Sequence, residues 1–190
     1  ERIVYNPEFL TERAALEEFI NPKFHIMGGE YEYTKQLKRV YQQYSQCSPC
    51  KVFYMTPMEA SFVKYGINSF LATKVLWFNQ FKDLLDRYDS RYSVVANAVG
   101  YDKRSANGNT KEPGFDGKKR FGGSWFPKDT AAIGNFAEVS LTVLEDGMDV
   151  NNVSRSQYML DDIEKEQNVS LRDHHRVSED VIYRQSSIMQ

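Results

Sequence analysis

The sequence predicts a mainly α fold with a few short strands, built around one long central helix. Three observations carry that reading. The signature Thr56-Pro57-Met58-Glu59 opens a run whose apolar positions recur every three or four residues. Short apolar runs elsewhere stop at glycine or proline, as strands do. A glycine-rich, basic stretch from 101 to 123 breaks all periodicity, and a compact domain keeps so long a loop mainly when the loop has a job.

Taken in order, Arg-Ile-Val-Tyr-Asn at the start reads as a strand, followed by a turn and a helix with Thr11 as N-cap that Pro22 ends after Asn21. Phe-His-Ile-Met before Gly28 and Gly29 reads as a second strand. A polar, tyrosine-rich helix follows over roughly Thr34 to Tyr44, and Lys-Val-Phe-Tyr-Met-Thr from Lys51 is another strand. The long helix then starts at Thr56, with Pro57 at its first position and Glu59 completing a capping box. Val63, Ile67, Phe70, Leu71, Trp77, Phe81, Leu84, Leu85 and Tyr88 make its apolar stripe. Running to about Asp89 it spans roughly 50 Å at about 1.5 Å per residue. Such a stripe suits a dimer seam or the centre of a monomeric bundle, and periodicity alone does not choose. A shorter helix over Tyr-Ser-Val-Val-Ala-Asn-Ala-Val is stopped by Gly100, and another begins near Pro127 and runs through Ala137. From Asn151 onward the chain is polar, which predicts loosely packed helices and a disordered end.

Composition narrows the function classes. The chain has 190 residues, 41% hydrophobic and 26% charged, with a formal net charge of -2, ordinary for a globular protein and without general attraction to nucleic acid or anionic lipid. No run of about eighteen apolar residues occurs, and the first residues lack a signal-peptide pattern, so nucleic acid and membrane are excluded as partners and a cytoplasmic location is expected. The start at Glu1 points to a fragment, a processed product or a trimmed chain. Cys47 and Cys50 have the spacing of half a zinc site or of a redox pair, but zinc needs two further ligands and the adjacent His174 and His175 are poorly disposed to supply them, so two ordinary thiols are the simpler reading and no metal is expected. The sequons at Asn152 and Asn168 mean little without a secretory route.

Three groups of residues are candidates for chemistry. Glu8 and Glu12 lie four apart around the first turn and face one cleft if that turn is helical; otherwise they are solvated glutamates favoured at a helix start. Lys64 and Asn68 sit one turn apart on the long helix, a pair of donors suited to an oxyanion or a sugar hydroxyl, although surface lysines are common. Lys128 and Asp129 follow the turn Phe121-Gly-Gly-Ser-Trp125-Phe-Pro, which exposes backbone as reactive loops do yet carries the bulkiest side chain at its centre.

The ordered set NPEFLTERAALEEFINPKFHIMGG, EASFVKYGINSFLATK and FGGSWFPKDT resembles the UDP-glucose and GDP-mannose dehydrogenases over roughly residues 1 to 140. The resemblance implies a helical dimerisation domain at 57–150 built around the long helix, preceded at 1–56 by the remnant of an α/β Rossmann-like domain, with a polar extension at 151–190. It implies roles too. Glu8 and Glu12 match glutamates near the substrate, Lys64 and Asn68 the oxyanion and proton-relay pair, and Asp129 the aspartate that works with lysine and water as base. Trp125 falls where the family has its nucleophilic cysteine.

Two departures qualify those roles. An indole cannot form the thioester through which the second oxidation passes. No G-x-G-x-x-G is present, so no cofactor is expected for this chain alone, and NAD only if an upstream Rossmann domain exists. The expectation is a truncated, catalytically inactive relative of a UDP-glucose 6-dehydrogenase, retained for association as a homodimer through residues 57–89 or with another protein, with residual sugar-nucleotide binding. The alternative is a fragment of a longer NAD-dependent nucleotide-sugar dehydrogenase that still oxidises alcohol to aldehyde, Lys64 and Asp129 serving as base. Trp125 is a structural plug, on a third reading, packed with Phe121 and Phe126.

Overall fold

The computed structural model describes residues 3–11 and 13–158. Glu12, His174, His175, Asn168 and most of the expected polar extension lie outside them. The chain divides into two compact units, Glu1–Ile67 and Asn68–Gln190.

In the first unit, α1 (Ala15–Ile20), β1 (Phe24–Gly28), α2 (Tyr31–Tyr44) and β2 (Lys51–Met55) follow one another. The strands pair in parallel, Phe24 with Lys51 through Gly28 with Met55, and α2 makes the crossover, so this is one β-α-β turn. Ile26 and Met27 of β1 and Thr34 of α2 are among its buried residues. The expected first strand reduces to a single antiparallel bridge between Tyr5 and Gly28. Thr11 caps no helix: α1 starts at Ala15, and the Thr11 amide donates to Glu18 Oε2 at 2.6 Å. The helix α2 begins at Tyr31, three residues earlier than its polar pattern predicts.

The long helix α3 (Pro57–Arg87) is the element the sequence announces most clearly. Its capping box forms, with the Glu59 amide donating to Thr56 Oγ1 at 3.2 Å and the Thr56 amide to Glu59 Oε2 at 2.7 Å. The boundary between the two units falls within this helix.

In the second unit the remainder of α3 is followed by α4 (Tyr92–Tyr101), α5 (Phe126–Phe136) and α6 (Thr142–Arg155). Gly100 does not stop α4, which closes one residue later with the Asp102 amide donating to the Val99 carbonyl. Ala72, Leu76 and Phe121 form the buried cluster, with Val75 and Phe126 against it. Full burial of a side chain the size of Phe121 contributes about 2 to 3 kcal/mol. The apolar stripe seen in the sequence is not the buried face. Phe70, Trp77, Leu84 and Tyr88 are 66%, 50%, 49% and 75% exposed, and the residues buried in this stretch are Asn68, Ala72, Leu76, Phe78 and Asn79. The start of the expected loose extension is also firmer than predicted, because Asn151 and Arg155 lie in α6 and are buried.

Candidate active site

Glu8 and Lys64 belong to the first unit. Residues 6 to 11 form no helical turn, and Glu12 lies outside the described residues. The reason is local: Asn6 precedes Pro7, a position biased to extended backbone, and its side chain is tied at both ends. Asn6 Nδ2 donates to the Ile26 carbonyl at 2.7 Å, and Tyr41 donates to Asn6 Oδ1 at 2.8 Å. Glu8 is exposed, and Lys64 Nζ donates to its backbone carbonyl at 2.6 Å rather than to its carboxylate.

The second unit gathers the other candidates around Asp129, which is 1% exposed. Asn68 Nδ2 donates to Asp129 Oδ2 at 2.5 Å, and Lys128 Nζ pairs with Asp129 Oδ1. The aspartate also sits in the first turn of α5, where the unpaired amides favour negative charge. A carboxylate removed from water is costly unless paired and hydrogen-bonded, and these partners supply both conditions. Two groups that lie far apart in the sequence therefore meet: Asn68 and Asp129 act as one unit. Lys64 and Asn68, a single donor pair in the sequence, are committed to different acceptors.

Trp125 is the N-cap residue of α5, and its carbonyl accepts the Asp129 amide at 2.9 Å. At 37% exposure it is no core plug: Phe121, at 4%, holds the core position, and Phe126 meets it edge to face at 6.1 Å. The Lys128 ammonium stands 5.6 Å from the Trp125 ring.

The loop that presents Trp125 is fixed by residues whose roles sequence reasoning missed. Asn79 Oδ1 accepts the Arg120 amide at 2.7 Å, and Asn151 Oδ1 accepts the Phe121 amide at 3.0 Å. Arg155 pairs with Asp116 at 2.8 Å, and its guanidinium lies against Gly122 so closely that a Cβ there would sit 2.1 Å from Nη2. Gly123 then takes a φ of 76°, the left-handed region that turns the chain into α5. Further upstream, Lys74 Nζ donates to the carbonyls of Ala106, at 2.9 Å, and Gly108, and burial lowers its pKa. A signal for Asn79 was available: Asn68, Ala72, Leu76 and Asn79 recur at helical spacing, a small and polar stripe opposite the aromatic one. Asn151 and Arg155 gave no local signal, since their partners lie 30 and 39 residues away.

The second unit is thus a helical domain in which Asn68, Asp129 and Lys128 are grouped beside a Gly-Gly-Ser turn. Residues 58–153 match the model of the UDP-glucose/GDP-mannose dehydrogenase family, central domain, and the chain belongs to this family. It is similar to the UDP-glucose 6-dehydrogenase of Rickettsia conorii, 32% identical over 137 residues that make up 72% of this chain and 30% of that one. UDP-glucose 6-dehydrogenase TuaD of Bacillus subtilis is 32% identical over 131 residues, 69% of this chain and 27% of that protein. Among solved structures, a UDP-glucose dehydrogenase from Pyrobaculum islandicum matches with a TM-score of 0.68 and 34% identity over 79% of this chain and 34% of that one. The chain thus spans about a third of the length of these relatives.

Proposed function

We propose that this chain is an association module built on a nucleotide-sugar dehydrogenase central domain, pairing with a second copy through α3 and inactive as a two-step dehydrogenase. One observation carries the reading: the exposed stripe of Phe70, Trp77, Leu84 and Tyr88. At about 100° per residue these positions fall within roughly a quarter of the helix circumference. Three of them repeat every seven residues, the interval that keeps a helix seam facing a partner. Phe81 joins them, stacked on Trp77 at 4.8 Å. Single exposed apolar residues are ordinary, whereas a continuous line of them on one helix marks an interface. An identical copy carries an identical line, so a two-fold pair buries both.

Sedimentation equilibrium tests this directly. A dimer is expected, and Phe70→Glu with Trp77→Glu converts it to a monomer with unchanged helix content. A wild-type chain that stays monomeric at every concentration removes the proposal.

Inactivity rests on Trp125. The family's second oxidation passes through a thioester, for which an indole offers no thiolate. No reduced cofactor is expected when the chain is mixed with UDP-glucose and NAD, and its appearance would overturn this part. Trp125→Cys should add one thiol to the thiol-reagent reactivity of Cys47 and Cys50 with little change in melting temperature, because the indole is partly exposed. A drop of many degrees would return the plug reading.

A nicotinamide dinucleotide does not fit the described residues. The β-α-β turn has the right topology for a pyrophosphate at the start of α2, but Glu30 caps that helix and Glu32 sits in its first turn. Two carboxylates stand where phosphate would be received. The second reading, a segment of a longer NAD-dependent dehydrogenase acting on a sugar nucleotide, is favoured by the share of about 30% that the chain covers of its relatives. Under it Glu8, Lys64, Asn68 and Asp129 keep their family roles, with Lys64 and Asp129 as base. Weak binding of UDP-glucose, lost in Asp129→Asn, supports retained site chemistry in either case.

A further inference from the structure

The first unit holds a second reactive group that the family relation does not use. Cys47 and Cys50 lie in the loop between α2 and β2, and both are half-buried free thiols. The loop is held in place. Cys47 Sγ donates to the Phe19 carbonyl at 3.1 Å, and the Ser48 amide donates to the Ile20 carbonyl at 2.7 Å. Ser48 Oγ donates to Asn21 Oδ1 at 2.8 Å, and the Cys47 amide to Ser45 Oγ at 3.1 Å. At the other end Cys50 immediately precedes β2, whose first residue Lys51 pairs with Phe24 on the neighbouring strand. Both cysteines are therefore anchored to fixed elements, with only Ser48 and Pro49 between them. Burial pushes the Cys50 thiol up, and the nearby Cys47 adds to that rise, so the two sulfurs feel each other. The Tyr41 hydroxyl is raised by burial and by Cys47 as well, and its ring lies 4.4 Å from that of His25.

Two thiols alone do not make a tetrahedral zinc site, and among the described residues no group of three or more His, Cys, Asp or Glu is placed to hold a metal. Two neighbouring thiols do suffice for a disulfide. We propose that Cys47 and Cys50 form a reversible dithiol–disulfide pair, a modification site on the first unit.

The oxidant is a small-molecule disulfide. The Cys47 thiolate attacks one of its sulfurs, the S–S bond breaks, and one small thiol leaves, giving a mixed disulfide on Cys47. Cys50 loses its proton to water and its thiolate attacks the Cys47 sulfur, releasing the second small thiol. Two cysteine thiols lose two electrons and two protons, and one external disulfide becomes two thiols. Cys50 is the resolving thiol because burial disfavours its ionised form. Oxidation also removes the S–H that donates to Phe19, leaving the Ser48 bonds to Ile20 and Asn21 as the ties between the loop and the end of α1.

The test is equilibration of the whole chain with mixtures of oxidised and reduced glutathione, acid quench, alkylation and peptide mass mapping. The expected product is one intrachain disulfide between residues 47 and 50. Its effective concentration should be at least about tenfold higher in the native chain than in denaturant, since fixed ends pre-orient the pair. Cys50→Ser should stop at a glutathione adduct on Cys47, and Cys47→Ser should react at least about tenfold more slowly at Cys50. Independent alkylation of both thiols, equal values in native and denatured chain, or disulfides only between chains would each overturn the proposal.

Discussion

The second unit's stretch of α3 carries two faces that differ in every property. The buried residues, Asn68, Ala72, Leu76, Phe78 and Asn79, include two amides, while the outward face, Phe70, Trp77, Leu84 and the flanking Tyr88, is wholly aromatic and aliphatic. Hydrophobicity alone would not bury two amides while leaving that line exposed. The inward face earns its burial through polar complementarity: Asn68 serves a buried carboxylate and Asn79 serves a loop amide. Depth in this fold follows the need to satisfy Asp129 and the loop, and the greasier face is left exposed.

That contrast can be broken from the inside first. Asn68→Leu removes a donor from a carboxylate that has no water to replace it, which costs about 2 to 3 kcal/mol. Thermal or chemical denaturation should show it, and a loss below about half a kcal/mol would mean Asp129 is satisfied elsewhere. Asn79→Leu leaves the Arg120 amide without its acceptor and costs about 1 to 2 kcal/mol, with the loop at 101–123 exchanging amide hydrogen faster. On the outer face the same measurements should move least: Trp77→Glu changes the stability of the monomer by no more than about 0.5 kcal/mol while abolishing the dimer.

A smaller effect separates pH from packing. Glu112 has a buried Oε2 without a hydrogen-bond partner, and burial raises its carboxyl above the usual range. The folded chain therefore holds that proton more tightly than the unfolded one. Its contribution to stability is complete below the ordinary glutamate value of about 4.3 and is lost as pH rises through the higher folded value. Glu112→Gln should flatten this slope in the mildly acidic range and raise the melting temperature at neutral pH. An unchanged slope would place the titration on another group.

How much of this was legible in the sequence depends on the range of the interaction. The capping box of α3, both paired strands, the start of α5 and the loop at 101–123 were all read from neighbouring residues, where turn and capping chemistry act. The N-terminal strand was not, because pairing reduces to one bridge that only Gly28 supplies. Thr11 has the right side chain for a cap, but the Glu18 carboxylate takes its amide and the helix begins at Ala15. Among the site residues, Asn68 and Asp129 were both singled out, yet their bond spans 61 positions and no periodicity announces it. The buried clamps Asn151 and Arg155 look like ordinary surface polars in a helix that carries few apolar anchors. Their depth is decided by what the loop needs.

The guanidinium of Arg155 resting on Gly122 sets how freely this turn can drift. A side chain at position 122 must displace the buried Arg155 guanidinium from Asp116, whereas position 125, three residues on and partly open to water, holds an indole without strain on the core. A library randomised over the whole turn and selected only for folding would return glycine at one place and a broad mixture at the other. Exchange of the residue at the tip is thus nearly silent to the fold.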